Sequence, residues 1–319
     1  MHRDYAAKGV KFYYIYKYLA HAGGKGYVQP FTLRERLLHL QEGKRTLGTQ
    51  IPWICDTMTN DLKHALGDAP TSEFIIDPQG KVVRRRAWGN TSQLRKDLAE
   101  LIGPVKNPTK IADLKLKTSP PAKVAARGIV PRIKRPSGMK PLSIEPDILK
   151  STQPFYVKLR PQAERRLLRT GTGKLYLEFR LDPIYRVHWN NLTKPIRIEL
   201  NLPGKTTATP KSAQGPKIKE PSDIDPREFL LDVKRIGTAA GPLQLTVRYF
   251  ACNDEAGWCK SITQQYVIHR REDVEDGYFV QPMPHGAAWP AFRGPLTSKP
   301  PWDILRCPDH PGRAVCEAA

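Results

Sequence analysis

Prolines recur at Pro104, Pro108, Pro120, Pro121, Pro131, Pro136, Pro141 and Pro146, and this run divides the chain. Each proline removes a backbone donor and clashes inside a helix or a central strand, so neither element passes through such a stretch. Lysines and arginines fill the intervals. Positions 104–151 therefore predict an extended, solvated basic linker, with short apolar pieces such as Ile129-Val130 able to dock on a neighbour. At 319 residues the chain is long enough for a folded unit on each side.

The net charge of +21 is spread along the chain, and no zinc-finger, RNA-recognition or helix-turn-helix pattern accompanies it. It is read as a solvated basic surface drawn to an anionic envelope, not as a specific nucleic-acid site. No window approaches the roughly 18 consecutive apolar residues of a membrane span, so no transmembrane segment is expected. His2, Arg3, Asp4 and Tyr5 after Met1 offer no apolar signal-peptide core. The expected location is the periplasm or cell envelope if a signal peptide lies upstream, and the cytoplasm otherwise. Five cysteines are too few for a disulfide scaffold of this length.

The first hundred residues alternate strand and helix patterns. Val10 to Tyr16 reads as a buried aromatic strand, and Leu33, Leu37, Leu38 and Leu40 line one face of a helix over Leu33 to Leu47. Ile51 to Cys55 predicts a second strand, followed by a helix from Asn60 or Asp61 to Leu66. Asp77-Pro78-Gln79-Gly80 is a turn between strands Glu73 to Ile76 and Lys81 to Arg86. A last helix runs from about Thr91 to Ile102, capped by Asn90 or Thr91 and stopped by Gly103. Parallel strands joined by helices, then a hairpin and a closing helix, describe an α/β domain over 1–103.

The run from Pro70-Thr71 through Glu73-Phe74-Ile75-Ile76-Asp77 to Gly80 resembles the second half of a thioredoxin fold. Tyr14-Ile15-Tyr16 with Ala20-His21, then Arg36-Leu37, then Asp56-Thr57-Met58, resembles the iodothyronine deiodinase family and its bacterial relatives. The resemblance implies a cis Pro70 that, with Thr71, shapes a substrate groove, and a proton-shuttling His21. It also implies a cysteine or selenocysteine nucleophile after a first strand. Met1 to Lys8 reads as the end of the helix that follows this nucleophile, so the first strand and nucleophile are expected to be missing.

From Phe155 onward, Phe155 to Leu159, Lys174 to Leu181, Ile196 to Leu202, Phe229 to Val233, Leu243 to Cys252 and Ile262 to His269 alternate apolar and polar residues. Such a series predicts an antiparallel β-sandwich over 152–271, with Thr206 to Asp225 as a long loop and 272–319 as a proline-rich, disordered tail. Cys252 and Cys259 stand at the two edges of a turn between strands. This arrangement resembles the immunoglobulin-like amino-terminal domain of DsbD-type thiol-disulfide reductases, which implies exchange with a protein thiol or disulfide partner or a small redox substrate. A stabilising cross-strand disulfide is the alternative. Lys260 would favour a thiolate there, and Asp254 and Glu255 would oppose one.

Other candidates carry less. Cys55 reads as a small buried hydrophobe, and His39 and His64 as surface or packing residues. Cys307, His310 and Cys316 crowd the tail in too short a set to read as a metal site, and Trp289 to Pro295 resembles the opening of quinoprotein propellers with no repeats after it. No cofactor or metal is expected. The functional expectation is a thiol-disulfide redox protein of the envelope, with a noncatalytic binding protein as the alternative.

Overall fold

A computed structural model describes residues 1–273 except 20–21, 23–25, 70, 120–122, 149–150, 152 and 236–240. The described chain forms two units, one built from Met1–Tyr18 and Pro30–Pro121 and the other from Leu19–Gln29 and Ala122–Gln281. The first mixes helices with short strands, and the second is β-rich.

The α/β unit runs α1 (His2–Ala6), β1 (Tyr14–Tyr16), α2 (Leu33–Leu47), β2 (Trp53–Cys55), α3 (Asp61–Ala65), β3 (Glu73–Ile76), β4 (Val82–Arg86) and α4 (Thr91–Ile102). β1 and β2 pair in parallel, while β3 and β4 form an antiparallel hairpin. The Thr32 hydroxyl caps α2 by accepting the Glu35 N–H at 3.2 Å, and the Glu35 carboxylate accepts the Phe31 N–H at 2.7 Å. Gly48 ends α2 at φ 61°, where a Cβ would lie 2.5 Å from the Lys117 carbonyl oxygen. Asn90 caps α4 through the N–H groups of Ser92 and Gln93.

One expectation needs correction. The strand expected over Val10 to Tyr16 is formed by Tyr14–Tyr16 alone, and it is not buried, because among the described residues β2 is its one paired neighbour and Tyr13 and Tyr14 stay exposed. The helix expected from Asn60 or Asp61 forms as α3, where the buried Asp56 carboxylate accepts the N–H groups of Thr57, Leu62 and Lys63 at 2.9 to 3.0 Å. The Arg36 guanidinium, also buried, donates to the carbonyls of Asp56 and Thr57 and to Asn60 Oδ1, binding α2 to that loop.

The β-rich unit comprises β5 (Lys140–Pro146), β6 (Val157–Ala163), α5 (Arg165–Thr170), β7 (Thr172–Leu181), β8 (His188–Asn190), β9 (Arg197–Asn201), β10 (Thr206–Thr209), β11 (Ser212–Gln214), β12 (Ser222–Asp223), β13 (Arg227–Arg235), β14 (Leu243–Asn253) and β15 (Trp258–Glu272). All six strands expected here form. The hydrogen-bonded path runs β10-β13-β7-β6-β5-β15-β14-β8-β12, with β9 also on β14 and β11 on β9. β5 joins the two halves. Their buried faces carry Leu159, Leu175, Leu177 and Phe179 on one side and Val247, Tyr249, Ile262 and Ile268 on the other. The Tyr266 hydroxyl on β15 reaches across to the Val157 carbonyl on β6 at 2.9 Å.

The expected loop over Thr206 to Asp225 holds β10, β11 and β12, because this segment passes from the edge beside β13 to the edge beside β9 and then to β8. The expected linker is likewise divided. Residues 123–148 belong to the β-rich unit, and β5 is one of its strands. The reason is charge: the segment's backbone and its cations meet buried carboxylates on and beside β13. Asp225 accepts the N–H groups of Gly128, Ile129 and Val130 at 2.7 to 3.0 Å, and Glu228 accepts from Ile133 N–H, Arg132 and the Tyr176 hydroxyl.

Burial alone would raise both carboxyls, but backbone N–H groups and Arg227 hold Asp225 below the ordinary 3.8. Arg132, Tyr176 and the Ile133 N–H likewise outweigh burial and hold Glu228 below 4.5. The folded pKa values are therefore depressed, so the stability these groups contribute is fully present above about pH 5 and is lost as pH falls below about 4. Asp225→Ala orphans three backbone donors and should destabilise the unit by about 2 to 3 kcal/mol. The matching signature is faster amide exchange at Gly128, Ile129 and Val130, and a flatter acid limb in the stability profile.

Candidate functional site

The hairpin of β14 and β15 pairs eleven residues from Leu243↔Ile268 to Asn253↔Trp258, and this register sets Cys252 opposite Cys259. The two are disulfide-bonded with a Cα–Cα distance of 4.0 Å. Along β14, Val247, Tyr249 and Ala251 face the core, so Cys252 at the next position faces outward, as Arg248 and Phe250 do. The disulfide therefore lies on the outer face of the sheet, beside the turn. Its halves differ in access: Cys252 is 2% exposed, whereas Cys259 is exposed.

The turn is anchored on both sides. Asn253 donates to the Tyr185 carbonyl at 2.9 Å and accepts the Ala256 N–H at 2.7 Å, and Gly257 takes φ 67°. Glu255 pairs with Arg186 at 2.6 Å. Tyr156 stacks edge-on with Tyr185 and tilts against Trp258, each with centroids 5.1 Å apart, and burial pushes its phenol upward in pKa.

Strand β8 borders Cys252 on its other side. Its register places His188 opposite Cys252 and Trp189 opposite Ala251. Trp189 fixes the strand by packing on Tyr249 and donating its indole N–H to the Asp225 carbonyl at 2.7 Å. His188, 6% exposed, lies 2.9 Å through Nδ1 from the Trp189 carbonyl oxygen and 3.0 Å through Nε2 from Asp254 Oδ1.

Among the sequence candidates, Cys252 and Cys259 are brought together. Thr71 is exposed in the α/β unit, where its carbonyl accepts the Gly89 N–H at 2.8 Å. His21 and Pro70 lie outside the described residues, as do Cys307, His310, Cys316 and Trp289 to Pro295. Lys260 does not face the disulfide: paired with Ala251, it stands on the other side of the sheet, where its ammonium meets Gln153 at 3.1 Å and the Trp258 ring at 4.6 Å. Asp254 and Glu255, expected to oppose a thiolate, are each bonded to a base. His39 is buried and bonded to the Tyr16 hydroxyl at 3.2 Å, and His64 is exposed on Asp68. Among the described residues no three or more His, Cys, Asp or Glu are grouped to hold a metal ion, and no helix is long and apolar enough to cross a membrane.

Sequence reasoning missed His188. Its one local signal is a place beside a core tryptophan in a three-residue strand, and nothing in its spacing points to a cysteine 64 positions on. Comparison of the chain with protein-family models, with curated proteins and with solved structures finds no match.

Cys55 is half-buried, and burial, with Asp56 adding to it against Arg36, pushes its thiol up to about 11. Its alkylation near pH 8 should be about a hundredfold slower than in the unfolded chain and should rise about tenfold per pH unit toward the folded value. Peptide mapping of labelled Cys55 reads this directly.

Proposed function

We propose that this chain is a thiol-disulfide redox protein whose β-rich unit, an immunoglobulin-like sandwich of the DsbD amino-terminal kind, exchanges the Cys252–Cys259 disulfide with a partner dithiol. The α/β unit is read as thioredoxin- and deiodinase-like. The observation that carries the proposal is the placement of the disulfide: on the outer face of the hairpin, at its turn end, with one cysteine buried and the other exposed. An exposed sulfur is open to in-line attack, and a sheltered one makes a defined leaving group.

Stability is a weak reason for such a bond. Closing the short loop between Cys252 and Cys259 contributes about 2 to 3 kcal/mol on the chain-entropy estimate. Eleven cross-strand pairs already hold the same two strands together. The thioredoxin-like reading draws support from the parallel β1 and β2, the β3–β4 hairpin and the closing α4, in the order that the resemblance implies. It also draws support from Arg36, which joins two of the matched motifs by bonding to Asp56 and Thr57. An envelope compartment is part of the proposal, since disulfides form and persist in oxidising surroundings.

Equilibration in graded thiol-disulfide buffers, with alkylation mapped to Cys252 and Cys259, tests the reading. The pair should interconvert at a potential between about −270 and −120 mV, the span of exchange proteins. A pair that stays oxidised below about −300 mV would instead be a staple, and the chain a binding protein.

A further inference from the structure

We propose that His188, held by Asp254, stabilises the Cys252 thiolate that is released when a partner dithiol opens the disulfide; this rests on the exchange reading above. Three side chains form one row across three adjacent strands: Cys259 on β15, Cys252 on β14 and His188 on β8. Residues directly opposite in antiparallel strands project from the same face with Cβ atoms roughly 5 Å apart. Asp254 follows Cys252 by two positions, just past the strand end, and the imidazole reaches it at 3.0 Å. The ring therefore spans the space next to the buried cysteine.

The ring's bonds add a chemical constraint. A backbone carbonyl accepts and never donates, so Nδ1 donates to Trp189. An ionised carboxylate also accepts alone, so a full bond from Nε2 to Asp254 requires the second ring proton. Both bonds are made together by the imidazolium. The other charged groups about the row are engaged elsewhere: Arg186 with Glu255, Lys260 with Gln153 and Trp258, and Asp223 on β12 with Arg227. His188 is thus the base that the register sets in the row beside the sulfur that must leave, and its protonated form is the cation there.

In the reaction, a partner thiolate attacks the sulfur of Cys259, the exposed residue of the pair. A partner–Cys259 disulfide forms, the Cys252–Cys259 bond breaks, and its electron pair leaves on Cys252. The imidazolium beside it offsets that charge, and the sulfur takes its proton from solvent. The partner's second thiolate then displaces Cys259, so the partner dithiol is oxidised to a disulfide and this chain takes up two electrons and two protons. A leaving thiol of lower pKa departs faster, which makes the histidine a rate determinant.

The test uses the full chain and dithiothreitol as the dithiol. His188→Gln should slow opening of the disulfide about tenfold near pH 7 with the circular dichroism spectrum unchanged. Asp254→Asn, on an exposed turn residue, should slow it severalfold and move the pH profile to lower pH. In a Cys259→Ala background, mapped alkylation of Cys252 against pH should shift upward by about one unit when His188 is replaced, a change that a merely structural role would not produce. Unaltered rates and profiles in the Asp254 and His188 variants would overturn the inference while leaving exchange itself intact. A disulfide that dithiothreitol does not open in the parent chain would defeat the exchange reading, and this inference with it.

Discussion

The register of one hairpin governs the chemistry of this chain. The β14–β15 ladder is long enough that a slip by one residue would turn Val247, Tyr249 and Ala251 out of the core, and that cost locks the pairing. Because the pairing is locked, Cys252 meets Cys259 on β15, and because β8 pairs onto the same strand, His188 is delivered to the same row. The core on one face thereby fixes the reactive groups on the other.

A second constraint is charge. Carboxylates at Glu178 and Glu228 are buried on the outer side of the other sheet half, Asp225 is buried just before β13, and each needs donors. The basic, proline-bearing segment supplies them through its backbone N–H groups and Arg132, which pairs with Glu178 and Glu228 at 2.9 and 2.5 Å. Part of the net positive charge is thus structural. Lys158 and Asp182, both wholly buried 3.6 Å apart, extend the same theme, in which charge is taken inside only in the company of its opposite.

Much of the framework was legible in the sequence. The Asp77–Gly80 turn, the Asn90 cap and the six alternating strands follow from local rules that the structure obeys. The strands of Thr206 to Asp225 and the docking of residues 123–148 were not, because each is stabilised by partners far along the chain. Asp225, for instance, lies 95 to 97 positions from the amides it binds. The site was half legible. Two cysteines at the edges of a turn announce their own pairing, whereas Lys260 was read as favouring a thiolate it does not face and His188 left no mark, since both placements depend on register and not on spacing.

The central claim is that the exposed cysteine receives the attack and the buried one leaves. The most direct measurement is to treat the oxidised chain with a monothiol such as glutathione, quench with acid midway, and map the mixed disulfide by mass spectrometry. The adduct should sit on Cys259, with Cys252 recovered as a free thiol. An adduct on Cys252, or one divided evenly between the two, would contradict the account.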